Sequence, residues 1–88
     1  MHHRRDRWDI LGLILALLAD NATGTTLPLS RIAQRANLPY DRFVGHLDEL
    51  REGGLVTGDE MPAVTAKGHD LLKSWRQWEA VLQRFGLD

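Results

Sequence analysis

The sequence predicts a mainly α-helical domain with one small β hairpin, in the order helix, helix, helix, hairpin, helix. Three observations predict it. Apolar residues recur at steps of three and four along four separate segments. Two of those segments are joined only by the short connection Asn37-Leu38-Pro39-Tyr40. Between the third and the fourth stand two short β-prone runs separated by a turn.

The first helix begins near Arg7. Trp8, Leu11, Ile14, Leu15 and Leu18 share one face, and Ile10, Leu13 and Leu17 widen it, so burial on more than one side is expected. Asn21, Thr23 and Gly24 stop it. Gly24 to Leu27 is a loop or short strand, with Thr25, Thr26 and Leu27 leaning to strand. Pro28 opens a short second helix marked by Leu29, Ile32, Ala33 and Ala36. Asn37 ends it, because asparagine tolerates the left-handed geometry of a helix terminus, while Leu38 plugs the core and Pro39 opens the third helix. In that helix Phe43, Leu47 and Leu50 point inward with Val44 beside them, and Gly53-Gly54 terminates it. Two short helices joined by a turn make a helix-turn-helix arrangement. Leu55-Val56-Thr57 and Pro62-Ala63-Val64-Thr65 form a hairpin about a turn at Gly58-Asp59-Glu60-Met61, and Pro62 fits an edge strand. Thr65 caps a last helix from Ala66 to about Phe85, closed by Gly86.

Eighty-eight residues make one domain, 1–88, divisible into a body over 1–65 and a C-terminal helix over 66–86. A core of this size hides only about 60 to 65% of the unfolded chain's surface, so a partner subunit is a natural staple. The absence of cysteine removes disulfides and thiolate zinc sites. Ile10 to Ala19 is the longest apolar stretch and is about half a membrane span, so no membrane association is expected. The charged start, MHHRRDRWD, is followed by no small-residue cleavage site, which makes a cytoplasmic setting the expectation.

The net charge of −1 conceals segregation. Arg4, Arg5 and Arg7 outweigh Asp6, and Arg31, Arg35 and Arg42 outweigh Asp41. Asp48, Glu49, Glu52, Asp59 and Glu60 are opposed by Arg51 alone. One basic face and one acidic block fit a protein with a single nucleic-acid surface.

The stretch IAQRANLPYDRFVGHLDELREGGLV, followed by VTAKGHDLL, resembles the winged helix-turn-helix family that includes small archaeal chromatin-associated dimers and related archaeal regulators. The likeness runs from about Arg5 to Leu72, with Pro39 standing where a serine is usual. It implies a winged helix that binds double-stranded DNA and pairs two subunits through its last helix. The implied setting is a cytoplasmic, nucleoid-associated one.

The residues themselves point the same way. With Phe43, Leu47 and Leu50 inward, Asp41, Arg42, Gly45, His46 and Glu49 lie on or near the outer face of the third helix. Arg42 can fork onto guanine, Gly45 allows close approach to a groove wall, and Tyr40, beside Pro39, and His46 can donate to phosphates or bases. Arg31 and Arg35, four residues apart, can clamp a phosphate stretch unless they pair with Asp41 or Glu49. Arg4, Arg5 and Arg7 form a basic arm or a solvated terminus. The acidic turn at Gly58 to Glu60 disfavours insertion into a minor groove.

In the last helix Gly68, Leu71, Trp75, Trp78, Leu82 and Phe85 follow one another at three- and four-residue steps, as a seam for a partner helix does. Homodimerisation through Leu71, Trp75, Trp78, Leu82 and Phe85 is the expectation, against the alternative that the seam covers the domain's own first helix. His2, His3, His46 and His69 lack ligand spacing, so no metal is expected. Ser30 and Ser74 lack a base and a Gly-rich elbow, and no polar cluster marks a small-molecule ligand or cofactor. Three roles remain: a transcription regulator first, a sequence-nonspecific architectural protein second, and a protein-interaction module without DNA affinity third.

Overall fold

A computed structural model describes residues 6–24 and 26–87. The elements are α1 (Arg7–Asn21), α2 (Leu29–Arg35), α3 (Tyr40–Glu52), β1 (Val56–Thr57), β2 (Ala63–Val64) and α4 (Ala66–Arg84), in the predicted order. The sheet has two antiparallel strands, with Val56 opposite Val64 and Thr57 opposite Ala63. α1 is the hub and packs against α2, α3, β2 and α4. Its Leu11, Ile14, Leu15 and Leu18 meet Ile32, Ala33, Phe43, Leu47, Leu50, Val56 and Leu72 in one buried cluster. Trp8 departs from the expected inward face and is 63% exposed. Its place in the first turn puts it beyond the core that covers Leu11.

The segment after α1 corrects the strand expectation. Thr26 and Leu27 form no strand, and Thr25 lies outside the described residues. The buried side chain of Asn21 supplies what a neighbouring strand would: Oδ1 accepts from the Leu27 N–H at 2.7 Å, and Nδ2 donates to the Leu27 carbonyl at 3.2 Å. Nδ2 also faces the Met61 sulfur at 3.8 Å, so one amide ties this segment to the hairpin.

Three helices end in the same local geometry, in which two successive N–H groups turn back onto carbonyls of the last turn. After α2, Asn37 bonds to Gln34 and Leu38 to Ala33, with Asn37 at φ 58°. After α3, Gly54 bonds to Arg51 and Leu55 to Leu50, with Gly54 at φ 75°. After α4, Gly86 bonds to Gln83 and Leu87 to Leu82. The turn between α2 and α3 is thus set by Asn37. Pro28 and Pro39 are caps, one residue outside the helices they were expected to open. Their extended ψ values of 158° and 146° leave only their carbonyls to accept the first helical bonds.

The strands are shorter than predicted, although Thr65 still donates to the Leu55 carbonyl at 3.0 Å beyond the paired residues. Thr65 caps α4 as predicted, accepting from the Gly68 N–H at 3.0 Å, and its hydroxyl donates to the Gly54 carbonyl at 2.6 Å. Lys67 donates to the Gly53 carbonyl at 2.7 Å. Gly68 is buried where a Cβ would overlap the Leu55 carbonyl oxygen and stand 2.8 Å from Val64 Cγ1. That contact removes Gly68 from the predicted intermolecular seam. The Thr-Ala-Lys-Gly segment joins the start of α4 to the end of α3.

Candidate nucleic-acid interface

Helix α3 divides into an open first half and an occupied second half. Phe43, fully buried, fixes the rotation of the helix and leaves Tyr40 half exposed above it, with ring centroids 6.3 Å apart. Arg42 is exposed and has no hydrogen-bond or ion-pair partner among the described residues. At Gly45 no heavy atom lies within 4 Å of where a Cβ would be. Tyr40, Arg42 and Gly45 therefore offer an aromatic hydroxyl, a guanidinium and a bare backbone within two turns.

The second half of α3 is engaged by its own molecule. His46 was expected to face outward, but only 18% of its side chain is exposed and its Nδ1 lies 3.2 Å from Glu49 Oε1. Arg7, grouped by sequence with a basic arm, forms an ion pair with the other oxygen of Glu49. The remaining arm residues Arg4 and Arg5 lie outside the described residues, as do His2 and His3. Two members of the acidic block are thus partnered, Glu49 by Arg7 and His46, Asp48 by Arg51 at 2.9 Å.

Arg51 has a role that sequence reasoning missed. Its Nε donates to the Gly58 carbonyl at 2.9 Å and one terminal nitrogen to the Asp59 carbonyl at 3.0 Å. This fork straps the hairpin tip to the C-terminal end of α3 and leaves the Asp59 and Glu60 residues exposed. Gly58 at φ 100° allows the chain to present both carbonyls to one guanidinium.

Arg31 and Arg35 are exposed on α2, and among the described residues no ion pair joins them to Asp41 or Glu49. On α4 the expected seam residues are not equivalent. Trp78 and Phe85 are 59% and 66% exposed, whereas Leu71, Trp75 and Leu82 are half-buried, with Trp75 against Gly12 of α1. Part of the seam therefore covers the molecule's own first helix.

Among the described residues no helix is long and apolar enough to cross a membrane, and no group of three or more His, Asp or Glu is placed to hold a metal ion. Residues 4–83 match a family model described as winged helix-turn-helix. No curated protein matches the chain.

Proposed function

The chain belongs to the winged helix-turn-helix family, typically non-enzymatic DNA-binding domains, and from that membership we propose that it binds double-stranded DNA as a homodimer and regulates transcription. The observation that carries the reading is the open first half of α3, where Arg42 has no described partner and Gly45 has nothing above it. A guanidinium on such a face forks onto guanine O6 and N7 in a major groove, and a bare glycine lets the helix sit deep. Tyr40, following the Pro39 cap, donates to a phosphate or a base edge. His46, partnered by Glu49, makes at most a peripheral contact.

Arg31 and Arg35 grip phosphates, and Arg4 and Arg5 extend the contact along the backbone. The hairpin, with its acidic tip strapped to α3, stays out of the minor groove. In this reading residues 1–65 engage DNA and residues 66–86 pair two copies, without cofactor, metal or small-molecule ligand. A two-fold dimer sets its reading helices about 34 to 36 Å apart, or a multiple of that. The setting is cytoplasmic and nucleoid-associated.

The net charge of −1 favours a regulator over an architectural protein that coats DNA. Footprinting on genomic fragments tests this: a discrete protected site with two half-sites supports a regulator, continuous unregistered protection supports the architectural role, and no protection at low salt contradicts DNA binding.

A further inference from the structure

The C-terminal end of α1 and the end of α2 enclose a cleft of about 200 Å³, lined by Leu17, Asp20, Asn21, Leu27, Ile32 and Arg35. Leu17, Leu27 and Ile32 supply apolar walls. Asn21 holds one of them in place, because its amide bonds to both backbone groups of Leu27. Two opposite charges also border the cleft, Asp20 from α1 and Arg35 from α2. No ion pair joins them, and neither has another ion-pair partner among the described residues. The Asp20 carbonyl is taken by Thr23, whose N–H and hydroxyl donate to it at 3.2 Å and 3.0 Å. Its carboxylate stays exposed, and the last turn of α1 carries no basic side chain to meet the negative end of the helix.

We propose that this cleft binds a free α-amino acid with an aliphatic side chain, and that its occupation releases DNA; only the second half of this inference rests on the DNA-binding reading. The ligand carboxylate forks onto Arg35 through charge-assisted hydrogen bonds. Its ammonium meets Asp20 and the carbonyl end of α1, and its side chain covers Leu17, Leu27 and Ile32. Charge selects the zwitterion: a simple carboxylic acid brings a second negative charge to Asp20, and a simple amine brings a second positive charge to Arg35. Size selects a small body, since the cleft is below the about 300 to 1,000 Å³ of sites that take drug-sized molecules. DNA binding itself needs no ligand, and the amino acid acts against it. A guanidinium forked onto a carboxylate no longer offers its charge to a phosphate, so the two compete for Arg35 and each weakens the other. Asp20 and Arg35 belong to separate helices, which is why no polar cluster marks the cleft in the sequence.

Isothermal titration calorimetry of the full chain without DNA tests the site, using L-leucine, isocaproate, which lacks the ammonium, and isoamylamine, which lacks the carboxylate. Leucine is expected to bind with a Kd of about 1 mM or below, and each analogue about tenfold more weakly. Asp20→Asn and Arg35→Gln, both at exposed positions, are expected to keep the parent circular dichroism spectrum and to lose about tenfold in leucine affinity. In Asp20→Asn, leucine and isocaproate are expected to bind alike, because the group that tells them apart is gone. No binding of leucine at about 10 mM overturns the site. An analogue that matches leucine on the parent, or an Asp20→Asn variant that still prefers leucine to isocaproate, overturns the assignment of the zwitterion. Saturating leucine is further expected to weaken duplex DNA binding by about tenfold. An unchanged DNA affinity at saturation overturns the release and leaves the site standing. A parent that binds no duplex at low salt contradicts the DNA-binding reading itself, while calorimetry still decides the site.

Discussion

The indole of Trp75 rests on the bare backbone of Gly12, where a methyl group would stand 2.5 Å from Nε1 and closer still to the fused ring carbons. Glycine in the middle of a helix costs about 1 kcal/mol relative to alanine. At this position it lets α4 lie close against α1 with an aromatic ring between them. The same contact draws Trp75 into the body and leaves Trp78 as the exposed aromatic of the helix.

Gly12→Ala therefore sets helix propensity against packing, and packing is expected to win. The net loss is about 1 to 2 kcal/mol, which lowers Tm by roughly 4 to 16 °C for a domain of this size. Thermal melting followed by far-UV circular dichroism measures it. A Tm equal to or above the parent's shows that the indole does not sit on Gly12.

Asn21→Ala removes the amide that satisfies both backbone groups of Leu27. Leaving those groups without partners is expected to cost about 1 to 3 kcal/mol, read as a lower midpoint in urea unfolding with an unchanged slope. An Asn21→Leu variant as stable as the parent means that the segment after α1 is held by something else.

Arg51→Ala frees the hairpin tip while leaving the core intact. Because the guanidinium is partly exposed, the stability loss is expected to be only about 1 kcal/mol. Amide exchange around the hairpin tip, including Met61, should speed up while that of α1 stays slow. Arg51→Lys should not restore protection, since one ammonium lacks the fork that reaches the Gly58 and Asp59 carbonyls and the Asp48 carboxylate together. Unchanged exchange in both variants contradicts the strap.

Gly68→Ala places a methyl group against the Leu55 carbonyl oxygen and Val64. The backbone on both sides has to shift, and a loss of about 1 to 3 kcal/mol is expected. Calorimetry reads it directly, and a neutral result contradicts the close approach of α4 to the hairpin.

Much of the fold was legible because it is written in local chemistry. The steps of Leu11, Ile14, Leu15 and Leu18, the left-handed Asn37, the Gly53-Gly54 stop and the Thr65 cap each act within a few residues of themselves. Misread features depend on partners distant in sequence. Thr26 and Leu27 are β-prone, yet they form no strand and the backbone of Leu27 bonds to the side chain of Asn21. Gly68 fits a heptad step by spacing, yet it is a contact point for Leu55. The seam of α4 read as one stripe because periodicity shows which residues share a face and not which of two neighbouring faces is already covered. At the candidate interface, the exposure of Arg42 and Gly45 followed from the inward positions of Phe43 and Leu47. The engagement of His46, Glu49 and Arg7 did not, since Arg7 reaches Glu49 from another helix. Arg51 was invisible as a strap because its acceptors are backbone carbonyls, which leave no mark in a sequence.

The most direct test of the central claim is a fluorescence-anisotropy titration of duplex DNA at low and moderate salt, with the parent chain, Arg42→Ala and Arg35→Ala. The parent is expected to bind with an affinity that falls as salt rises. Arg42→Ala should lose the distinction between preferred and random duplexes, at a cost of about 1 to 3 kcal/mol on the preferred one. Arg35→Ala should weaken all duplexes alike and reduce the salt slope by about one unit. No binding of any duplex by the parent at low salt, or both variants binding exactly as the parent does, contradicts the assignment of this face to DNA.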